Sequence, residues 1–178
     1  MVVQLVYETH SITVDNERGI ATGWLPGQLS ARGRALAAEL GRRRRDDGID
    51  AVFASDLMRA VQTATIAFAN SGIPMRLDRR LRECDYGVRN GQPVAKLAPE
   101  KRARVDVPWP GGESWRDAVA RLADFLVDLK RDRDGCRVLV IAHSAQRFGL
   151  RHLIEGVPLE DLVDAPFGWQ KGWEYRLE

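Results

Sequence analysis

The runs Leu5–Ser11 (LVYETHS) and Val138–Ser144 (VLVIAHS) end alike, as apolar, β-branched stretches that stop at His-Ser. Stretches apolar at consecutive positions suit strands buried on both faces, as in a parallel sheet covered by helices on either side. Such a sheet lines up the carboxyl ends of its strands along one edge, and ligands bind beyond that edge. Two of the chain's three histidines, His10 and His143, stand just past these strand ends. A lone histidine after a strand is ordinarily a surface or satisfied core residue. Two at equivalent strand ends predict one shared site.

The rest of the pattern alternates strands with helices. Val2–Tyr7 reads as the first strand, followed by a glycine-bearing loop from Asp15 to Gln28. Ser30 is placed to cap a helix through Leu36 and Leu40, Ile49–Phe53 is a short strand, and Asp56 is placed to cap a helix through Val61, Thr65 and Phe68. Pro74–Leu77 is a further short strand, and the stretch from Asp78 to Gly112 is irregular. Its length marks a functional excursion, since long unstructured loops are rare in compact domains. Ser114 opens a periodic helix through Val119, Leu122, Phe125 and Leu129. Arg137–Ala142 is the second buried strand, a helix follows around Phe148–Ile154, and Trp173–Leu177 is strand-like. The expected fold is a three-layer α/β/α sandwich with a mostly parallel central sheet, in one domain over residues 1–178.

Composition narrows the function by exclusion. With 178 residues and a net charge of +2, nothing demands a nucleic-acid or membrane partner. The run Arg42–Arg45 reads as a solvated helix C-terminus, where cations suit the helix dipole. Cys84 and Cys136 lack metal-ligand spacing and read as free thiols of a reducing compartment. The chain enters its first strand without a basic leader, no apolar run is long enough to span a bilayer, and the expected location is cytoplasmic. Ser11 and Ser144 lie in no Gly-x-Ser-x-Gly elbow, which argues against a serine hydrolase. The five tryptophans are expected to serve packing.

Five further tags carry more information in order than singly. His10 is followed by Thr13 and Asn16; then come Thr22-Gly23-Trp24, SDLMRAVQTA with Arg59 near a helix start, LRECDYG with Glu83, and finally His143. In this order, over nearly the whole chain, they resemble the histidine phosphatase superfamily, also called the phosphoglycerate mutase-like family. The resemblance implies a phosphoglycerate mutase-like fold and a metal-independent phosphatase that takes no cofactor. Its substrate would be a small phosphorylated metabolite. It implies His10 as nucleophile forming a phosphohistidine. Arg59, a protonated His143 and Asn16 would meet the charge on the transferred group. Glu83 would act as the proton donor. Thr22 and Gly23 belong to a loop approaching the transferred group. Mutases of the family are expected to be longer, so a phosphatase is favoured.

The departures are as informative as the matches. The family has arginine at Thr9, glycine at Ser11, glutamate at Ile12 and glycine at Ser144. Threonine removes a permanent charge and a bidentate fork from the pocket. Glu8 would add a negative charge if it shared the rim. Arg147, near the start of the helix after the last parallel strand, is the first candidate to replace the missing guanidinium, with Arg82 and Arg18 behind it. Thr9, Ser11 and Ser144 all place a hydroxyl in the pocket, which favours a re-tuned polar site over decay. The alternative is a catalytically altered or inactive relative that binds an anion or partner, or catalyses another biosynthetic reaction. The oligomeric state stays open.

Overall fold

The computed structural model describes residues 2–178. The central sheet contains β1 (Val3–Thr9), β3 (Ala51–Ala54), β4 (Met75–Leu77), β6 (Arg137–Ala142) and β7 (Trp173–Leu177). Their order is β4-β3-β6-β1-β7, parallel except for β7, which runs antiparallel to β1 at one edge. Helices α2 (Ala31–Arg44), α3 (Met58–Phe68), α5 (Trp115–Asp132) and α6 (Ser144–Glu155) cover the faces.

Which face each residue serves follows the two-residue period of a strand. Val6, Val52, Ala54, Leu139 and Ile141 form one core with Leu40 of α2 and Ala60 and Ala64 of α3. The alternate residues Leu5, Tyr7, Phe53, Val138 and Val140 pack against Leu122, Phe125 and Leu126 of α5 and Leu150 of α6. Burying each Leu or Val side chain contributes ~1.5–3 kcal/mol, which makes these two layers the main support of the site.

Several sequence expectations need correction. The loop between β1 and α2 carries a one-turn helix α1 (Val14–Glu17), capped by Thr13, and a two-residue strand β2 (Ile20–Ala21). Helix α3 is not capped by Asp56: its N-cap is Leu57, with no side-chain cap bond, and Asp56 instead forms a bidentate pair with Arg82 at 2.7 Å. The irregular stretch holds β5 (Gln92–Pro93), which pairs with β2, a one-turn helix α4 (Val94–Leu97) and four short 3₁₀ turns. Short α7 (Leu159–Asp164) was not anticipated; it seals a third core with Leu97, Trp109, Trp115 and Phe148. Ser114 does cap α5, in a reciprocal box with Asp117.

The arginine run does close α2, with Arg42 and Arg45 exposed as expected, but Arg43 and Arg44 are partly buried and the run is tied down by its partners. Arg43 and Arg44 both bond Glu8 Oε1, at 3.0 and 2.9 Å, and Arg45 donates to the carbonyls of Ile66 and Ala67. The sheet period explains this: Glu8 shares a face with Val6, toward α2, while Thr9 faces the other way.

Candidate active site

The register of the sheet builds the site. Thr9 pairs with Ala142, and the His10 N–H donates to the Ala142 carbonyl at 2.8 Å, so the next residues, His10 and His143, emerge side by side. Their ring centroids are 5.0 Å apart. The two His-Ser endings thus meet at one sheet edge.

His10 is partly exposed in a cavity of about 630 Å³, and its Nδ1 lies 2.7 Å from the Ser11 carbonyl. A carbonyl only accepts, so Nδ1 carries the proton and Nε2 keeps its lone pair. Burial within the pocket, followed by the Arg59 charge, lowers the His10 pKa to about 3 against an upward pull from the Ser11 carbonyl. The ring is therefore neutral at physiological pH.

His143 is wholly buried beside it, and neither ring nitrogen has a hydrogen-bond partner in the protein. Such a group is costly unless something else meets it. Burial, then Arg59, His10 and Arg121, hold its pKa well below the usual imidazole range. The expectation of a protonated His143 is corrected for this geometry: its neutral N–H is the available donor. The Tyr7 hydroxyl donates to the His143 carbonyl and fixes the turn into α6.

Arg59, 3% exposed on the first turn of α3, is aimed by two carbonyls, those of Gly23 at 2.8 Å and Leu25 at 3.4 Å. Gly23 has φ +55°, and an added Cβ would sit 1.8 Å from Asn90 Oδ1. Only glycine suits that position. The tag around Arg59 also acts structurally: Thr63 Oγ1 accepts the Ser11 N–H at 2.9 Å, and Gln62 accepts the Leu29 N–H at 2.9 Å.

Glu83 is 6% exposed, and both its oxygens are engaged at the start of α6. Oε1 accepts the N–H groups of Cys84 at 2.8 Å and Ala145 at 3.2 Å, and Oε2 accepts the Ser144 hydroxyl at 2.9 Å. Its carbonyl receives the Trp24 indole N–H at 2.6 Å. Trp24 in turn lies under the Arg82 guanidinium, 4.7 Å from the ring centre.

The remaining expected residues divide clearly. Thr9, Ser11, Asn16, Thr22, Gly23 and Ser144 all line the cavity with His10, Arg59 and Glu83. Asn16 Oδ1 accepts the Thr13 N–H at 3.0 Å, which leaves its amide donor for a ligand. The hydroxyls of Ser11 and Thr22 are anchored to the Gly33 carbonyl and Asp15. Arg147 is a correction. Its guanidinium turns away, 4.8 Å from the Trp173 ring centre and 5.6 Å from that of Tyr175, with Glu155 at 3.8 Å. Arg82 is held by Asp56 and Arg18 is exposed at the end of α1, so neither lines the cavity. No member of that trio replaces the guanidinium missing at Thr9. Glu8 lines the cavity, but Arg43 and Arg44 offset its charge.

Sequence reasoning missed Tyr86, Phe167 and Trp169, which also line the cavity. Tyr86 adjoined Glu83 in the aromatic-glycine tag, and burial together with the Glu83 charge holds its phenol well above the usual range. Trp169 lies between Gly168 and Gly172 in an unperiodic segment, and no local signal pointed inward. Among the described residues, no group of three or more His, Cys, Asp or Glu is arranged to hold a metal ion, and no helix is long and apolar enough to cross a membrane.

Comparison with known proteins agrees with the fold. A model of the histidine phosphatase superfamily (branch 1) matches residues 9–168. The 2,3-bisphosphoglycerate-dependent phosphoglycerate mutase of Methylobacterium sp. (strain 4-46) is 34% identical over 189 residues, spanning 98% of this chain and 91% of the mutase. Bacillus stearothermophilus YhfR superposes with a TM-score of 0.84 at 25% identity, over 95% of this chain and 88% of its own. Mycobacterial glucosyl-3-phosphoglycerate phosphatase in complex with VO3 superposes with a TM-score of 0.76 at 28% identity, over 89% and 85%. The alignment of 189 residues exceeds the 178 of this chain, so this mutase is the longer protein, in keeping with the expectation for mutases, although the chain spans 91% of it.

Proposed function

The chain belongs to the histidine phosphatase superfamily, and on that premise we propose that it hydrolyses a small phosphate monoester through a phosphohistidine at His10. The observation that carries this reading is the neutral His10 ring, with Nδ1 committed to the Ser11 carbonyl and His143 5.0 Å away. In the first step, the Nε2 lone pair attacks phosphorus in line while the P–O bond to the alcohol breaks. Glu83 gives its proton to the departing oxygen. In the second step, water attacks phosphorus while the P–N bond breaks and its electron pair returns to Nε2, Glu83 takes a proton from the water, and inorganic phosphate leaves. The Ser144 hydroxyl is a rotor: it donates to Glu83 Oε2 as seen and accepts when that oxygen carries the proton. Arg59, the His143 N–H and the Asn16 amide meet the equatorial oxygens. These steps use side chains of this chain alone.

Charge favours a phosphatase over a mutase. The cavity lining holds four cations, Arg32, Arg43, Arg59 and Lys101, against three carboxylates, Glu8, Glu39 and Glu83. A bisphosphorylated acid brings two phosphates and a carboxylate, and that balance leaves them largely unmatched. One observation favours a second reading, an anion-binding protein without turnover: no arginine among the expected candidates takes the place vacated at Thr9. Assays of phosphate ester hydrolysis by wild type and His10→Ala separate the readings. The proposal expects turnover in wild type and a loss of at least ~10³-fold in the variant, consistent with removing an activated nucleophile. Equal rates would overturn His10 as nucleophile, and an inactive wild type would favour the binding protein.

A further inference from the structure

Beyond the reacting groups, the cavity changes character. At about 630 Å³ it has room for roughly twenty waters at ~30 Å³ each, several times the need of a phosphoryl group. One wall is the face of α2 carrying Leu36 and Leu40, with Ile12 before it. The lining also includes Ile20 of β2 with Val94 and Leu97 of the excursion, and Phe167 and Trp169 come from the segment before β7. Val94, Phe167 and Trp169 are 42%, 39% and 57% exposed, so large apolar side chains face open space beside a catalytic centre. Apolar surface left uncovered in a concavity marks a ligand site.

Charge argues the same way. Arg43 is committed to Glu8 at 3.0 Å, and Glu39 shares the α2 wall with Arg32. One phosphate dianion already exceeds the lining's excess of one cation. A second anionic group would face hydrocarbon.

We infer that the substrate is a phosphate monoester whose organic part is apolar, seated between the α2 face and the Val94–Leu97 turn under Trp169. The inference rests on the phosphatase reading only for the phosphoryl end; the apolar compartment is observed independently of turnover. Trp169 lines the compartment from the segment before β7, where its indole offers apolar area at low entropic cost.

Non-hydrolysable phosphonates test this without catalysis. Calorimetric affinities of methyl-, propyl- and hexylphosphonate for the whole protein should rise about fourfold per buried methylene, on the order of 1000-fold across the series if all five added methylenes are buried. Leu36→Asn and Val94→Asn, both at positions with exposed surface, should each reduce the hexyl-to-methyl ratio. A flat series, or a ratio unchanged in both variants, would overturn the inference. Ethyl and hexyl phosphate, which share leaving-group acidity, then read turnover. Rising kcat/KM along that pair, above that for 3-phosphoglycerate, supports the inference, and preference for 3-phosphoglycerate overturns it. A rising phosphonate series with no ester hydrolysed at all would leave the apolar compartment standing and remove the phosphatase.

Discussion

The proton on His10 Nδ1 is placed by a single acceptor, the Ser11 carbonyl at 2.7 Å, and the two site histidines are kept neutral by burial and by the Arg59 charge. That has a consequence for stability. Both folded-state pKa values lie below the ordinary imidazole value of 6.5, His10 at about 3 and His143 well below 6.5. As pH falls past 6.5, the unfolded chain takes up protons that the folded chain refuses. Their contribution to stability is therefore full above pH 6.5 and is lost on acidification toward about pH 3. Each imidazole adds a slope of at most ~1.4 kcal/mol per pH unit in that window. Melting temperatures of wild type, His10→Asn and His143→Asn between about pH 7 and about pH 5 check this: wild type should lose stability more steeply than either variant. Parallel curves would contradict it. At this scale the sequence was most legible where a side chain's job is set by its own strand, as for His10 and His143. It was least legible for arginines. Arg147 adjoins the site in sequence, yet its long side chain is drawn to Trp173 and Tyr175, which arrive from the far end of the chain.

Elements carry the site by holding backbone carbonyls in place. The loop between β2 and α2 presents the Gly23 and Leu25 carbonyls to Arg59, and it does so through a left-handed residue packed against Asn90 and Tyr86. Asn90 does not yield readily, because Oδ1 accepts the Tyr86 N–H at 3.0 Å and Nδ2 donates to Asp85 at 2.7 Å. For Gly23→Ala the φ of +55° alone costs ~1–2 kcal/mol, about 2–4 °C in Tm per kcal/mol for a chain of this size. Displacement of Asn90 adds to that. The expected outcome is a Tm lowered by several degrees together with reduced turnover, since the Arg59 anchor moves; an unchanged Tm would contradict the packing described. Of the elements, β1, β6 and α5 were legible because periodicity and burial agree over their length. The excursion was not. Its β2–β5 pairing joins residues far apart in sequence, and α4 and α7 are single-turn or short helices held by the third core rather than by their own propensity.

For the molecule as a whole, a parallel β1–β6 pair in one register delivers two histidines to one edge, and α3, the excursion and the β7 segment surround them with a guanidinium, a carboxylate and an apolar hollow. The gathering of His10, His143, Arg59 and Glu83 was legible from the ordered tags. The hollow was not, because it is assembled from α2, α4 and the segment before β7, none of which carries a local sign of a shared ligand. The central claim is covalent: His10 Nε2 accepts the phosphoryl group. Rapid mixing with a hydrolysable phosphate ester, an alkaline quench that preserves phosphoramidate bonds, and mass spectrometry of the peptides test it most directly. The account predicts a mass increase of one phosphoryl group on the peptide containing His10, lost in His10→Ala. Phosphoryl release with no adduct on that peptide at any quench time, or an adduct on His143 instead, would contradict it.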